Sequence, residues 1–136
     1  MFDVSQIPGD QVVHSDNIKS FLDETVAKMG AEETRGTDVR VLDLREITPV
    51  FDYFVIATGS SRRQMHAMAD EIEAVLKKEH HDKKRGAEGY EEGRWIVLDY
   101  GDVMVHLFDA EARDYWDIEH LWSDAKPVPS AGAGAR

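Results

Sequence analysis

The stretch Trp95-Ile-Val-Leu-Asp-Tyr-Gly-Asp-Val-Met-Val-His-Leu-Phe108 contains two apolar runs that are separated by Gly101-Asp102. A glycine at the first position of a two-residue loop is typical of a type II′ turn, which joins neighbouring antiparallel strands. We therefore predict a β-hairpin in which the strands Trp95–Tyr100 and Val103–Phe108 flank the turn.

Upstream of the hairpin, the hydrophobic pattern predicts a strand followed by a helix. Phe51–Thr58 ends in a nearly continuous apolar run, which is typical of a strand covered on both faces. Gly59-Ser60 ends this run, and apolar residues then recur at helical spacing from Ser61 to Glu79. Because a strand, a helix and a further strand in one sheet form a parallel crossover, we expect at least one parallel pair of strands.

The remaining segments extend this pattern in both directions. Helical spacing predicts a first helix from Asn17 to Met29, and Val39–Leu44 begins with the alternation of a strand. The charged segment His80–Gly93 is predicted to be a loop with room for a short edge strand. After the hairpin, Asp109 is of a residue type that caps helices, and we expect one last helix to run from there towards Trp122.

These elements occur in the order α-β-β-α-β-β-α and predict a single domain of the α/β class. A length of 136 residues suffices for one domain with a substantial core. A parallel crossover combined with an antiparallel hairpin requires a mixed sheet, and the helices flank it. We place the domain at residues 16–124, and we expect flexible tails at residues 1–15 and at the Pro/Gly/Ala-rich residues 125–136.

Composition excludes several functional classes. The chain has 27 acidic and 16 basic residues and a formal charge of −11, which argues against a free-standing nucleic-acid-binding protein. It has no cysteine, so a disulfide framework, a thiolate metal site and a cysteine nucleophile are excluded. No apolar run approaches the ~20 residues that span a bilayer, and the acidic start of the chain differs from a signal peptide. We therefore expect a cytoplasmic location.

Few residues occur in patterns that support catalysis. His66 and Asp70 share a helix face but lack a third ligand at a recognisable spacing, so solvated or packed side chains explain them better than a metal site. Asp99 and Asp102 could act as a pair of catalytic or metal-binding carboxylates, but Asp102 is better explained as the polar residue of the turn and Asp99 as the end of a strand. Gly59-Ser60 could hold an anion at the following helix N-terminus, yet this connection needs small capping residues in any case. We predict no catalytic residue, no cofactor and no metal ion.

Aromatic residues are concentrated in the last third of the chain. They are Trp95, Tyr100, Phe108, Tyr115, Trp116 and Trp122. One hairpin and one helix offer little room to bury them all, and a surplus of aromatic side chains on one face is typical of protein-binding hot spots. His106 interrupts an apolar strand, and it either lies on the less buried face of the sheet or makes a polar contact in a binding surface.

Five segments, occurring in family order, resemble the ribosomal silencing factors, which are also called Iojap-related proteins. The segments are Val41-Leu-Asp-Leu-Arg45, Asp52-Tyr-Phe-Val-Ile-Ala-Thr-Gly-Ser-Ser-Arg62, Glu88-Gly89, Trp95–Phe108 and Arg113-Asp-Tyr-Trp-Asp-Ile-Glu-His-Leu-Trp122. The resemblance covers most of residues 16–124. It implies a mixed α/β domain similar to nucleotidyltransferases but without their catalytic equipment, and hence no reaction.

The resemblance also implies a partner. Members of this family bind ribosomal protein fourteen of the large subunit on the face that meets the small subunit, which blocks subunit joining and lowers translation when nutrients are scarce. They also tend to form homodimers. An acidic chain suits this role, because ribosomal proteins are generally basic and opposite charges favour association.

We predict that the partner binds at the hairpin. The predicted contact residues are Trp95, Leu98, Tyr100, Asp102, Met104 and His106. Because alternate residues of a strand face opposite sides, Leu98 and Tyr100 cannot share a face with Trp95 without a bulge or a twist, and the pattern leaves open which set is outside.

Two alternative functions remain at this stage. A metal-dependent nucleotidyltransferase needs an acidic pair shortly after the Gly-Ser turn, but Asp70 and Glu71 are adjacent helix positions that do not face each other. Direct RNA binding would require a steep dependence of affinity on salt. Obstruction of subunit joining needs neither chemistry nor a basic groove, and it is the function that we favour.

Overall fold

The computed structural model describes residues 18–31, 34–80 and 85–128. The predicted N-terminal tail and the proposed start of the first helix at Asn17 lie outside these ranges. The elements in chain order are α1 (Ile18–Met29), β1 (Thr37–Asp43), β2 (Tyr53–Gly59), α2 (Arg62–His80), β3 (Gly86–Glu88), β4 (Trp95–Asp99), β5 (Val103–Asp109), α3 (Ala110–Trp116), α4 (Ile118–Leu121) and β6 (Lys126–Pro127). No helix in these ranges is both long and apolar enough to cross a membrane.

The strands form one mixed sheet, which confirms the predicted α/β class. Their order is β3-β4-β5-β2-β1-β6. β2 pairs with β5 in parallel, while every other neighbouring pair is antiparallel. The parallel pair at the centre is therefore joined by a long connection that contains α2, β3 and β4.

The hairpin turn has the predicted conformation. Gly101 has a φ of +90°, which a glycine adopts without the steric cost of a Cβ atom, whereas Asp102 is not among the positive-φ residues. The Tyr100 N–H donates to the Val103 carbonyl at 3.0 Å. The Asp99 carboxylate accepts a hydrogen bond from the Gly101 N–H at 2.8 Å. Asp99 ends β4, as the sequence predicted, and its side chain also supports the turn.

One side of the sheet, here called the covered face, packs against α1 and α2. The apolar stripe of α1 includes Phe21 and Val26, and that of α2 includes Met68 and Ile72; all four are buried. They lie over the central strands, whose inward side chains on this face are also almost completely inaccessible. Each fully buried side chain of this kind contributes on the order of 1.5–3 kcal/mol through the hydrophobic effect. The main core therefore lies between the sheet and the two long helices.

The other side of the sheet, here called the open face, packs against the short helices α3 and α4. Its buried cluster contains Phe54, Ile56 and Phe108 from the strands and Ala112 and Ile118 from the helices. Several large side chains at the edge of this cluster are only partly buried. They are Phe51, Trp95, Met104 and Trp122.

The last helix differs from its prediction. Its start is correct, because the Asp109 carboxylate caps α3 by accepting from the Ala112 N–H at 2.7 Å. However, Asp117 adopts a left-handed conformation with a φ of +48° and ends the helix, so that the expected single helix is two short ones. Aspartate tolerates this conformation better than most residues do, which permits the break without a glycine.

The C-terminal tail requires a correction at its start. Residues Lys126–Pro127, which we assigned to a flexible tail, form β6 and pair with Leu42 and Asp43 of β1. The Val128 N–H also donates to the Val41 carbonyl at 2.9 Å. The outer edge of β1 offers unpaired backbone groups, and this segment satisfies part of them although it contains Pro127. Residues 129–136 lie outside the described ranges.

Candidate protein-binding surface

Three of the predicted contact residues lie together on the open face. In the antiparallel register of β4 and β5, Trp95 is opposite Phe108, Val97 opposite His106, and Asp99 opposite Met104. Residues that are directly opposite each other point to the same side of a sheet. The structure therefore brings Trp95, Met104 and His106 to one face, and this answers the question that strand alternation left open.

Two predicted contact residues are corrected by their burial. Leu98 is 1% exposed and Tyr100 is 3% exposed, and both belong to the core of the covered face. The edge of the Tyr100 ring packs against Phe21 of α1, with the ring centroids 5.5 Å apart. Because α1 and α2 shield this side of the hairpin, neither side chain is available to a partner.

Asp102 lies in the turn and is partly accessible. Its main-chain carbonyl accepts hydrogen bonds from the Asp52 N–H at 2.8 Å and from the Tyr53 N–H at 3.1 Å. These contacts tie the tip of the hairpin to the start of β2. The backbone position of Asp102 is therefore fixed by the sheet, as a rigid contact surface requires.

His106 is buried beneath this surface and positions a tryptophan. The indole Nε1–H of Trp95 donates to Nδ1 of His106 at 3.1 Å, so the proton of the neutral imidazole is on Nε2. Burial lowers the pKa of His106 to about 4, because the charged ring would lose its hydration. His106 is therefore neutral near pH 7. Of the two interpretations of His106, the structure agrees with a side chain on the less covered face of the sheet, and the polar contact of its ring is made to Trp95 inside the protein.

The Nε2 atom of His106 has no hydrogen-bond partner within the described part of the chain. The ring packs instead against Phe54, with centroids 4.5 Å apart and planes at 63°. Aromatic neighbours exclude water from this nitrogen. Burial without a hydrogen bond at Nε2 costs much less free energy for the neutral ring than for the charged ring.

Ring contacts continue from Trp95 to the surface of α3. Trp95 stacks on Phe108 at 5.1 Å and contacts Trp116 at 5.4 Å, and Trp116 in turn contacts Tyr115 at 5.0 Å. We call Trp95, Trp116 and Tyr115 the aromatic row. Trp116 is 52% exposed and Tyr115 is 77% exposed, so that the row begins half-buried at the sheet and ends in solvent.

Sequence reasoning noticed these aromatic residues but did not include Tyr115 or Trp116 in the predicted contact surface. It expected that the hairpin and the last helix would not bury all of the aromatic residues, without saying which would be exposed. The structure leaves Tyr115 and Trp116 exposed, because the helix ends at Trp116 and a helix of this length cannot bury all of its apolar side chains. The local sequence pattern does not identify Asp117 as the residue that ends the helix. The ring contact between Trp116 and Trp95 joins residues far apart in the sequence, so it cannot be predicted from local spacing.

A groove of about 510 Å³ lies beside the aromatic row. It is bounded by α3 on one side and by the residues before β4 on the other. The lining combines aromatic and charged side chains, chiefly Glu92, Arg94, Trp95, Glu111, Tyr115 and Trp116. The Arg94 guanidinium binds the Asp109 carboxylate at 3.2 Å and the Glu111 carboxylate at 2.8 Å. The charged lining of the groove thus consists of two carboxylates, those of Glu92 and Glu111, and of the exposed Arg94, which pairs with Glu111.

A second, polar cavity of about 420 Å³ lies where β2 ends and α3 and α4 meet. Arg113 is buried there and makes two hydrogen bonds to the Glu119 carboxylate, both at 3.0 Å. It also donates to the Thr58 hydroxyl and to the Asp38 carbonyl, both at 2.7 Å. These partners occupy the guanidinium, so Arg113 holds the two short helices to the sheet.

The residues that invited a metal interpretation make contacts of another kind. The His66 ring stacks on Tyr90, with the centroids 4.1 Å apart, and its Nε2 is hydrogen-bonded to the Tyr90 carbonyl. The Tyr90 hydroxyl donates to the Asp70 carboxylate at 3.0 Å. Burial, followed by this hydrogen bond, raises the pKa of Tyr90. His66 and Asp70 therefore hold the loop before β4 against α2. Over residues 18–31, 34–80 and 85–128, no three side chains gather as potential metal ligands.

The connection from β2 to α2 is closed by its own side chains. Gln64 accepts hydrogen bonds from the Ser60 N–H and from the Ser60 hydroxyl, and the Ser61 hydroxyl accepts from the Gln64 N–H at 3.1 Å. The helix N-terminus is therefore capped in the manner expected of small residues at this position. This geometry agrees with the interpretation of Gly59-Ser60 as part of a strand-to-helix connection that needs small capping residues.

Comparison with known proteins gives a consistent result. The family model described as ribosomal silencing factor during starvation matches residues 18–135. The ribosomal silencing factor RsfS of Chromobacterium violaceum is 41% identical over 102 residues, covering 75% of this chain and 83% of that protein. RsfS of Bacillus subtilis is 38% identical over 109 residues, covering 80% and 90%. A crystal structure of a Chromobacterium violaceum protein superposes with a TM-score of 0.70 at 35% identity, covering 89% of this chain and 98% of that one.

Proposed function

We propose a function from one premise: the chain belongs to the ribosomal silencing factor family. The protein binds the large ribosomal subunit through ribosomal protein fourteen, and its bulk then prevents the small subunit from joining. Translation is repressed as a result, as suits a cell that is short of nutrients. The protein acts in the cytoplasm, and it forms or breaks no covalent bond.

The observation that carries this proposal is the partly exposed aromatic surface of the open face. Trp95 and Met104 lie next to the fixed hairpin tip at Asp102, and the aromatic row extends this surface onto α3. Aromatic side chains with an apolar surround are typical of the centre of a protein interface. Leu98 and Tyr100 are withdrawn from the proposed contact because they are buried on the covered face.

Charge supports a basic partner. The chain carries a formal charge of −11, and proteins that coat ribosomal RNA are generally basic. Opposite charges accelerate association and disfavour binding to other acidic proteins. An interface of ordinary size, about 1,600 Å² in total, is enough to hold a body of this size on a subunit. Steric exclusion then requires no further property of the protein.

A subunit-joining assay tests the proposal. Purified small and large subunits are mixed with the protein in increasing amounts, and the fraction of joined ribosomes is measured by sedimentation. We expect joining to fall as the protein binds the large subunit. Equal joining with and without the protein would refute the proposal.

Two variants locate the contact. Trp95→Ala and Met104→Ala should each weaken binding to the large subunit by about 2 kcal/mol, the typical effect of removing a central interface side chain. The matched control is Arg63→Ala. Arg63 is an exposed residue of α2, the helix that packs on the opposite, covered face of the sheet. Binding by all three variants at the wild-type level would remove this surface from the proposal, and circular dichroism would verify that the variants are folded.

A homodimer is a separate part of the proposal. The exposed apolar side chains Tyr115, Trp116 and Leu121 favour self-association of the open face. If the dimer uses this face, binding to the ribosome competes with it. Sedimentation equilibrium would refute the dimer if only the 15.4 kDa species were present at micromolar concentration.

The enzyme alternative can be tested in the same preparation. A metal-dependent nucleotidyltransferase must bind ATP with Mg²⁺ in its folded state, and such binding raises the melting temperature. Under the present proposal, the melting temperature does not change when ATP and Mg²⁺ are added. An increase of several degrees would favour the enzyme.

A further inference from the structure

We propose that the groove between α3 and the start of β4 binds an arginine side chain of the protein partner. The inference rests on the proposed function, since it specifies how part of the open face recognises a basic protein. The groove combines two features: carboxylates with accessible oxygens and partly exposed aromatic rings.

The carboxylates of the groove are suited to a guanidinium. Glu111 uses Oε1 to bind Arg94 and is otherwise exposed, with 85% of its side chain accessible. Glu92, on the opposite wall, is also exposed. Arg94 shows that a guanidinium already bridges two carboxylates here, those of Asp109 and Glu111. An incoming arginine would find the second Glu111 oxygen and the Glu92 carboxylate among the groups that line the groove.

The aromatic row favours arginine over lysine. A planar guanidinium stacks on the face of a tryptophan or tyrosine ring while its N–H groups still reach a carboxylate in the plane. Trp116 and Tyr115 both line the groove, with their planes at 88° to each other, so aromatic surface is present beside the carboxylates. An ammonium group is more strongly hydrated and lacks the flat surface that such stacking requires.

The groove is also rigid, which reduces the entropy that binding must overcome. The Asp109 carboxylate caps α3, and Arg113 ties the same helix to Glu119 and Thr58. On the other wall, Trp95 is fixed by its hydrogen bond to His106. The α3 backbone and the Trp95 ring are therefore held at their positions before a partner arrives.

Short peptides test the chemistry directly. The probes are blocked tripeptides Gly-Xaa-Gly in which the central residue is arginine, lysine or citrulline, and binding is followed by the indole signals of the tryptophans in NMR spectra. We expect the arginine peptide to shift the Trp116 signal with a Kd on the order of 1 mM, as befits a small ligand. The lysine peptide should bind severalfold more weakly. The neutral citrulline peptide should not bind.

Substitutions in the groove test whether the arginine peptide binds there. Tyr115→Ala and Glu111→Gln alter exposed side chains of α3 and should each weaken the arginine peptide at least threefold. The matched control is Glu71→Gln, an exposed carboxylate on α2 that is not part of the groove. Equal affinity for arginine and citrulline peptides, or unchanged affinity in both groove variants, would overturn the inference.

The same variants separate this inference from the proposed function. If the wild type binds large subunits and Tyr115→Ala and Glu111→Gln bind them at least fivefold more weakly, the inference is supported. If the wild type and both variants bind large subunits equally well, the arginine inference fails while the proposed function stands. If the wild type binds the arginine peptide selectively but does not bind the large subunit, the proposed function fails and the groove remains an arginine site.

Discussion

The two faces of the sheet are built on the same strands but are covered in different ways. On the covered face, α1 and α2 span the strands with 12 and 19 residues, and side chains such as Ile96, Leu98 and Val105 are almost completely inaccessible. On the open face, α3 and α4 have 7 and 4 residues, and Trp95 and Met104 stay partly exposed at the edge of the buried cluster.

The difference separates core residues from candidate contact residues within one hairpin. Neighbouring residues of β4 alternate between the two faces, so each second residue adds to the main core while the residues between them form the candidate surface. A substitution at a covered-face position of β4 should therefore lower the stability of the fold. A substitution at an open-face position should mainly change the candidate surface. The most direct tests compare residues that are adjacent in sequence.

The largest expected effect is that of Leu98→Ala beside Val97→Ala. Leu98 is fully buried on the covered face, and removing its isobutyl group should lower the free energy of unfolding by about 3 kcal/mol through lost burial and a residual cavity. Val97 lies on the open face and is partly accessible, so Val97→Ala should cost at most about 1 kcal/mol. Urea unfolding measures both values. Similar losses for the two variants would contradict the difference between the faces.

The sequence predicted much of this division. Helical stripes in α1 and α2 and the apolar run of β2 are strong periodic signals, and the structure confirms the elements that they indicate. Strand alternation correctly separated Trp95 from Leu98. It could not assign a face to either set, because that depends on where the long helices pack. The pattern also missed the break at Asp117, since a left-handed aspartate has no sequence signature as clear as that of glycine.

The next largest effect is expected at Arg113, which attaches the open-face helices by polar contacts. Arg113→Ala removes the paired hydrogen bonds to Glu119 and those to Thr58 and the Asp38 carbonyl. We expect a loss of about 2 kcal/mol, less than for a fully buried ion pair because Glu119 retains some contact with solvent. Hydrogen exchange should show faster opening of α3 and α4 than of α2.

The control for Arg113→Ala is Arg94→Ala. Arg94 also binds two carboxylates, but its side chain is more than half exposed, and such surface ion pairs contribute little. The free energy of unfolding should therefore change by no more than about 0.5 kcal/mol. Equal losses for both arginines would show that the polar attachment of the open-face helices does not depend on burial.

A smaller effect is expected from the titration of His106. Its pKa is lowered to about 4 in the folded protein, while the unfolded chain has a value near 6.5. Between these values the unfolded state binds a proton that the folded state excludes, so stability falls as the pH is lowered. We expect His106 to account for about 1 kcal/mol of the loss between about pH 6 and about pH 5.

The His106 contribution is isolated by substitution. His106→Asn should unfold with a shallower dependence on pH over this interval than the wild type, whatever its absolute stability. His120→Asn, which alters an exposed histidine of α4, is the matched control for the loss of a histidine. If the free energy of unfolding depended on pH in the same way for His106→Asn and the wild type, protonation of His106 would not be suppressed in the folded protein.

The smallest effect on stability is expected at Leu121, which is 77% exposed on α4. Leu121→Lys removes little buried surface, so the free energy of unfolding should change by no more than about 0.5 kcal/mol. Under the proposed function, the new positive charge meets a basic partner, and binding to the large subunit should weaken at least threefold. Leu121→Gln is the matched control because it removes the apolar side chain without adding charge. A loss of stability near that of Leu98→Ala would place Leu121 in a core and make the two faces alike.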